Sequence, residues 1–247
     1  YLVGVVLTLA VAVRQLLPML GEVEQNSNES VPLLSYGLKS HLSNIITFLN
    51  YKTDLFLINY FVGPLGAGIY VVAVQLVEKL WVLSTAVSAV LLPRLSQLSS
   101  DERRKSMLTP LICRWVLLFT FVASLILLAV APTLIELVFG TQFEGAFPVL
   151  AALVPGIVLW AGGRVLANDI ASRGKPEITF YISIAVLVTN VTLNFMLIPL
   201  AGLVGAGIAT SVAYFLDFLA KLLVYVRLTG NKWVLVVFVI RDDVRLL

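Results

Sequence analysis

Residues 177–227 read EITFYISIAVLVTNVTLNFMLIPLAGLVGAGIATSVAYFLDFLAKLLVYVR, two long apolar runs parted by Pro199-Leu200-Ala201-Gly202. Each run, about 177–199 and 204–227, matches the roughly 20 residues a helix needs to cross the hydrocarbon of a bilayer. Proline removes a backbone donor and glycine permits positive φ, so the separator ends one helix and starts the next. The same reading extends outward. Further spans are expected at about 36–61, 67–92, 108–131 and 147–171, with the tail of another at 1–17. Their separators are Gly63-Pro64, the stretch from Arg94 to Lys105, Pro132, the stretch from Gly140 to Gly145, and Gly174-Lys175-Pro176. The apolar piece WVLVVFVI at 233–240 is too short to span and is read as an interfacial segment or a truncated helix.

Composition agrees. Sixty per cent of the residues are hydrophobic (60%) and only 13% charged, with a mean hydropathy of +0.99. Soluble domains run at about 45–50% apolar and about 25% charged. Water could not solvate this much apolar surface, so the lipid bilayer is the expected solvent. The fold class is therefore an all-α membrane protein: a six-helix transmembrane bundle preceded by the end of another helix. Residues 1–20 are expected to end a helix of a missing N-terminal bundle, 21–35 to form a cytoplasmic linker, 36–230 the bundle, and 231–247 a cytoplasmic tail. The chain opens on Tyr1 inside an apolar run with no basic n-region, unlike a signal peptide. It is expected to be the C-terminal half of a longer protein.

The basic residues give an orientation. Arg14 and Lys39 flank the first loop; Arg94, Arg103, Arg104 and Lys105 fill the next on that side; Arg173 and Lys175 follow, then Arg227, Lys232, Arg241 and Arg245. The alternate loops, near 62–66, 132–146 and 200–203, hold no Lys or Arg. Cytoplasmic loops are enriched in these residues, so loops 18–35 and 94–107 and the C-terminus are expected inside the cell, with Glu136 and Glu144 outside. Two outer turns, GPLGAGI at 63–69 and GLVGAGI at 202–208, share G-x-x-G-A-G-I. Two tight hairpins that let helices pack closely explain this better than an internal repeat does.

The net charge of +3 is modest and no basic patch of the nucleic-acid kind occurs, so no nucleic-acid partner is expected. The single cysteine, Cys113, forms no intrachain disulfide. Neither metal-ligand clusters, nucleophile elbows nor phosphate-cradling glycine loops appear, so neither an enzyme nor a cofactor is expected.

Charges inside the spans carry the functional reading, because each costs about 2.5–3.5 kcal/mol at mid-membrane on insertion scales. Lys52 and Asp54 lie deep in FLNYKTDLFLI. At about 100° per residue they point to opposite sides of a helix, whereas Asn50 and Asp54, four apart, share a face. Each charge needs company from another helix, and Glu78 and Lys79 in VQLVEKLW, with Gln75 a turn earlier, are the expected partners. Arg164 and Asn168 share a face in LWAGGRVLANDIASRG. Asp169 is read as a solvated helix end, and His41 as an interfacial histidine. Arg114 and Lys221 are expected to snorkel to the headgroups. Asn190 and Asn194, at i and i+4, either line a polar path or hold helices together.

Four stretches carry a family likeness: LNYKTDLFLINYFVGPLGAGIYVVAVQL at 49–76, LPRLSQL at 92–98, LVFGTQFEGAFPVLAALVPGIVL at 137–159, and ASRGKPEITFYISIAVLVTNVTLNFMLIPLAGLVGAGIAT at 171–210. In this order the chain resembles the C-terminal portion of bacterial polysaccharide and O-antigen flippases, in the multidrug/oligosaccharidyl-lipid/polysaccharide exporter superfamily. The resemblance implies two six-helix bundles around a cavity that alternates its opening. The implied cargo is an oligosaccharide on a polyprenyl pyrophosphate, with coupling to H⁺ or Na⁺ left open. It also implies that the helix bearing Asn50, Lys52 and Asp54, and the next, bearing Glu78 and Lys79, border the cavity. From their depth in the spans, Lys52, Lys79 and Arg164 are expected to offer positive potential to the anionic pyrophosphate while acidic neighbours balance the empty cavity, and Asn168 is expected to line that cavity. A cation-coupled drug antiporter of the same superfamily is the alternative; there Asp54 binds the cation or drug amine, and Phe48, Trp81 and Trp160 stack on an organic cation. A non-transporting membrane scaffold is the third.

Overall fold

A computed structural model describes residues 52–98 and 102–237, all within one compact unit. The readings for 1–20 and 21–35, most of the first span, and the residues Asn50, His41 and Phe48 lie outside the described residues. Residues 52–61 form helix α1. Then follow α2 (Pro64–Glu78), α3 (Trp81–Gln97), α4 (Glu102–Phe139), a short 3₁₀ turn (Thr141–Phe143), α5 (Ala146–Ser172), α6 (Pro176–Thr229) and α7 (Val234–Val237). The described residues contain no strand. This is an all-α membrane protein, its outer surface dressed in exposed apolar side chains such as Phe119, Ile126, Leu137 and Leu200.

Three helices, Arg104–Phe139, Ala146–Ser172 and Pro176–Thr229, are long and apolar enough to cross a bilayer, and α2 is a shorter apolar one. At about 1.5 Å per residue, α6 would reach about 80 Å if straight, far beyond a hydrocarbon core of about 30 Å. Instead it folds back at Gly202, whose φ of 56° and ψ of −136° are non-helical. Asn190 on the first limb meets Thr210 on the second at 3.4 Å, so the limbs run antiparallel. Gly63 opens α2 with a φ of 94°. The two G-x-x-G-A-G-I turns are neighbours, because a Cβ on Gly66 would lie 3.4 Å from the Leu203 side chain.

Two punctuation marks behave differently from the expectation. Pro132 does not end a helix; α4 continues through both Pro110 and Pro132 to Phe139. Neighbouring groups in a membrane bundle can re-satisfy the carbonyl that a proline frees. Conversely, the expected span 67–92 is interrupted at Lys79-Leu80, where no glycine or proline stands. There the bonding tightens: Lys79 N–H donates to Leu76 O (3.2 Å), Leu80 N–H to Val77 O (3.0 Å) and Val82 N–H to Lys79 O (3.4 Å). Such i→i+3 steps inside a helix often mark a hinge.

Helix α5 is the central element and packs against α2, α3, α4 and α6. Apolar residues surround it, as expected of a buried helix. Its contact with the second limb of α6 is backbone-close: a Cβ on Gly156 would lie 2.5 Å from Ser211 Cα, and one on Gly207 would lie 2.9 Å from Ala152 Cβ. The Ser211 hydroxyl accepts from the Gly156 N–H and donates to the Ala152 carbonyl, linking the two helices at the residue after Pro155.

Candidate functional site

Asp54 projects from α1 into this bundle and is only 3% exposed. One carboxylate oxygen, Oδ2, accepts from Thr210 Oγ1 at 2.6 Å and from Tyr70 OH at 3.0 Å; the other, Oδ1, accepts from Asn194 Nδ2 at 2.8 Å. Asn194 Nδ2 also lies 3.1 Å from Asn190 Oδ1. The site thus draws on α1, α2 and both limbs of α6. Its assembly follows from the turn at Gly202: asparagines one helical turn apart on the descending limb face the threonine on the returning limb. All three donors to Asp54 are neutral, and Asn194 Oδ1 is buried with no donor among the described residues. Two hydroxyls and one amide N–H therefore converge on the carboxylate.

A pocket adjoins this carboxylate. Asp54, Tyr70, Glu78, Trp81, Thr210 and Tyr214 supply its polar and aromatic wall, and Val74, Val77, Leu153 and Ile157 its apolar side. Its cavity volume is about 20 Å³. About 10–15 Å³ suffices for one water. The pocket therefore has room for a water or a bare ion. It abuts the interruption between α2 and α3, since Glu78 ends one helix and Trp81 begins the other. Discontinuous helices of this sort are where membrane transporters place ion sites.

The other expected site residues are more dispersed. Glu78 is half-buried and lines the Asp54 pocket, but Lys79 and Gln75 are exposed. The expected pairing of Asp54 with the charges of the next helix is replaced by hydrogen bonds from Tyr70, Thr210 and Asn194, because those residues lie on the same level of the bundle interior. Lys52 is half-buried. Arg164 is half-buried on α5, its guanidinium carbon 5.0 Å above the Trp160 ring. Asn168, one turn along, has a buried Nδ2 with no acceptor among the described residues. Trp81 and Trp160 stack on each other, ring centroids 4.5 Å apart. Thr210 carries no signal in the sequence, and Tyr70 stands out there only as the tyrosine after the glycine-rich turn of the 49–76 stretch. The Asn190/Asn194 pair carries one, as a polar i, i+4 face, but nothing local ties it to Asp54.

A family described as polysaccharide biosynthesis protein matches residues 3–148 of the chain. The chain belongs to this family. It is 26% identical over 203 residues to a protein of Shigella flexneri named as an O-antigen transporter, covering 79% of this chain and 47% of the relative. It is 26% identical over 220 residues to Agl15 of Haloferax volcanii, named as a low-salt glycan biosynthesis flippase, covering 86% and 45%. It is 28% identical over 148 residues to the capsular polysaccharide biosynthesis protein CapF of Staphylococcus aureus, covering 59% and 37%. The chain spans less than half the length of these curated relatives. No solved structure matches it.

Two further buried charge clusters distinguish this polysaccharide biosynthesis protein from the sequence expectation. Lys221 does not snorkel: it is 7% exposed, and its Nζ donates to Asp217 Oδ2 at 2.6 Å, four residues back on the same face. Arg114 is likewise buried. Asp169 is not a solvated helix end: it is 0% exposed, accepts from Thr109 Oγ1 at 2.6 Å, and pairs with Arg173. Packing of α4 and the second limb of α6 over this end of α5 removes the water that a free helix terminus would see. Segment α7 packs back on α4.

Proposed function

We propose that this chain is the C-terminal half of a flippase that moves a lipid-linked oligosaccharide or polysaccharide precursor across the cytoplasmic membrane by alternating access. On this reading Asp54 binds the coupling cation, H⁺ or Na⁺. The observation that carries it is a buried carboxylate with two hydroxyl oxygens, from Tyr70 and Thr210, gathered on it beside a pocket of about 20 Å³. Oxygen ligands suit hard cations. A buried carboxylate with only neutral partners has a large electrostatic incentive to take one up. Helices that meet at the bound ion hold together when it is present and separate more readily when it leaves, which links ion occupancy to conformation. The names of the relatives supply the cargo class. A sugar–phosphate headgroup would lose its hydration in hydrocarbon, so it needs a polar route; Lys52, Lys79 and Arg164 lend that route positive potential. The loops at 18–35 and 94–107 and the C-terminus face the cytoplasm in this arrangement. The drug-antiporter alternative is disfavoured at Trp160, where Arg164 already occupies the cation's place over the ring.

The test is reconstitution of the full-length transporter in proteoliposomes, with flipping of a fluorescent polyprenyl-pyrophosphate oligosaccharide followed under Na⁺ and pH gradients. Flipping faster than in empty vesicles, and dependent on one gradient, is the expected result; no flipping under any gradient overturns the reading. In the same assay Lys52→Ala lowers the rate about fivefold at unchanged membrane abundance, the loss of about 1 kcal/mol of charge stabilisation.

A further inference from the structure

Arg164 lies within helix α5, in an expected membrane span. Among the described residues its guanidinium makes no ion pair or hydrogen bond, and it is partly exposed rather than sealed. Lys221 and Arg173, by contrast, each have a carboxylate. A cation in a membrane span is costly and ordinarily finds a partner, so five uncommitted N–H donors point to an anion supplied from outside the chain. The guanidinium fork matches phosphate bidentately.

What fixes this fork is aromatic. Trp160, one turn before Arg164 on α5, lies beneath the guanidinium at 5.0 Å. Trp160 is itself held by Trp81, stacked at 4.5 Å and 28°, and by Tyr214 at 6.0 Å and 38°. The ladder draws on α5, α3 and the second limb of α6. Trp81 and Tyr214 also form part of the Asp54 pocket wall. The same two side chains therefore touch the ion pocket on one side and set the guanidinium's platform on the other.

Resting on the flippase reading, we propose that Arg164 is the phosphate-binding group for the cargo, and that Trp160, clamped by Trp81 and Tyr214, is the positioning residue that couples its occupancy to the Asp54 pocket. Because coupling between two binding equilibria is reciprocal, a cation at Asp54 changes phosphate affinity at Arg164, and phosphate changes cation affinity by the same factor.

The full-length protein in nanodiscs is titrated with farnesyl pyrophosphate, and with farnesol as the probe lacking the anion, in Na⁺ or choline and between pH 6 and 8. Wild-type protein binds the pyrophosphate more tightly than farnesol, with an affinity that shifts with Na⁺ or pH. Arg164→Gln weakens the pyrophosphate about tenfold or more and leaves farnesol unchanged, the scale of one charge-assisted bidentate contact. Arg164→Lys restores only part, since it keeps the charge and loses the fork. Trp160→Leu retains pyrophosphate binding at reduced affinity but abolishes its Na⁺ or pH dependence, and Trp160→Phe preserves that dependence. Thermal unfolding checks that each variant is folded; should Arg164→Gln not fold, Arg164→Lys and the Trp160 pair decide. Pyrophosphate binding by Arg164→Gln or Arg164→Lys at wild-type affinity overturns the anion site. Unchanged ion dependence in Trp160→Leu overturns the coupling. Arg164-sensitive binding without flipping in proteoliposomes would retire the flippase reading and leave the site standing; flipping with binding insensitive to Arg164 would do the reverse.

Discussion

On the flippase reading proposed above, Asp54→Asn in the full-length protein is expected to abolish gradient-driven transport, with a loss of about a hundredfold or more, while the protein still folds and reaches the membrane. The geometry explains why the two effects separate. The aspartate accepts on both oxygens, from Thr210 and Tyr70 on one and Asn194 on the other. An asparagine carbonyl can keep the first two bonds. Its amide then faces the Asn194 amide nitrogen, which keeps its bonds to the Asn190 oxygens, so one bond to the substituted side chain is lost. Most of the hydrogen bonding survives and the charge is gone. A hundredfold loss corresponds to about 2.7 kcal/mol of barrier, modest for removing the charged ligand that the proposal assigns to the cation. Asp54→Leu behaves differently: it strands three buried donors at about 1–3 kcal/mol each and lowers abundance as well as rate. Rate under an imposed gradient and abundance in the membrane are measured side by side. Wild-type, gradient-dependent transport by Asp54→Asn would remove Asp54 from the ion site.

Gly156→Leu is expected to be the most damaging change away from that site. A Cβ at this position would meet Ser211 Cα at 2.5 Å. Backbone cannot swing aside as a side chain can, so the second limb of α6 must move away from α5. Overpacking of this kind costs about 1–3 kcal/mol or more. The shift would also break the Ser211 link between Gly156 and Ala152 and disturb Thr210, the adjacent residue that holds Asp54. In detergent the variant unfolds about 5–10 °C below wild type, if a domain of this size loses about 2–4 °C per kcal/mol, and less of it accumulates in the membrane. Gly68→Ala is the control: its Cβ would meet only Phe143 at 3.9 Å, and its melting point stays near that of wild type.

Much of the architecture was legible because lipid imposes simple rules. The hairpin limbs at 177–199 and 204–227 follow from length and from one separator, and α5 at Ala146–Ser172 falls within a residue of its expected bounds. Where the reading slipped, local sequence was overruled by neighbours. Pro132 looked like a stop, yet α4 runs through it; Lys79-Leu80 looked helical, yet the helix is interrupted there. Asp54 was legible as a costly charge. Its partners were not, because Asn194 and Thr210 stand 140 and 156 residues away along the chain, and both types recur in membrane helices with nothing to bind. The pairing of Lys221 is legible locally: Asp217 sits at i−4, the spacing at which ion pairs form on one helix face. Arg164 stands out in the sequence by depth alone; that it has no ion pair or hydrogen bond among the described residues is visible only in three dimensions.

The turn at Gly202 has a mechanical consequence. Asn194 and Thr210, two of the three donors to Asp54, belong to the two arms of a single helical hairpin, while the carboxylate rides on a separate rod. If the arms pivot together, both grips on the carboxylate open in one movement. Packed interfaces tend to switch between discrete arrangements rather than yield gradually. The hairpin would then act as a jaw that is either shut or released, so a partly loosened ion would have no intermediate resting place.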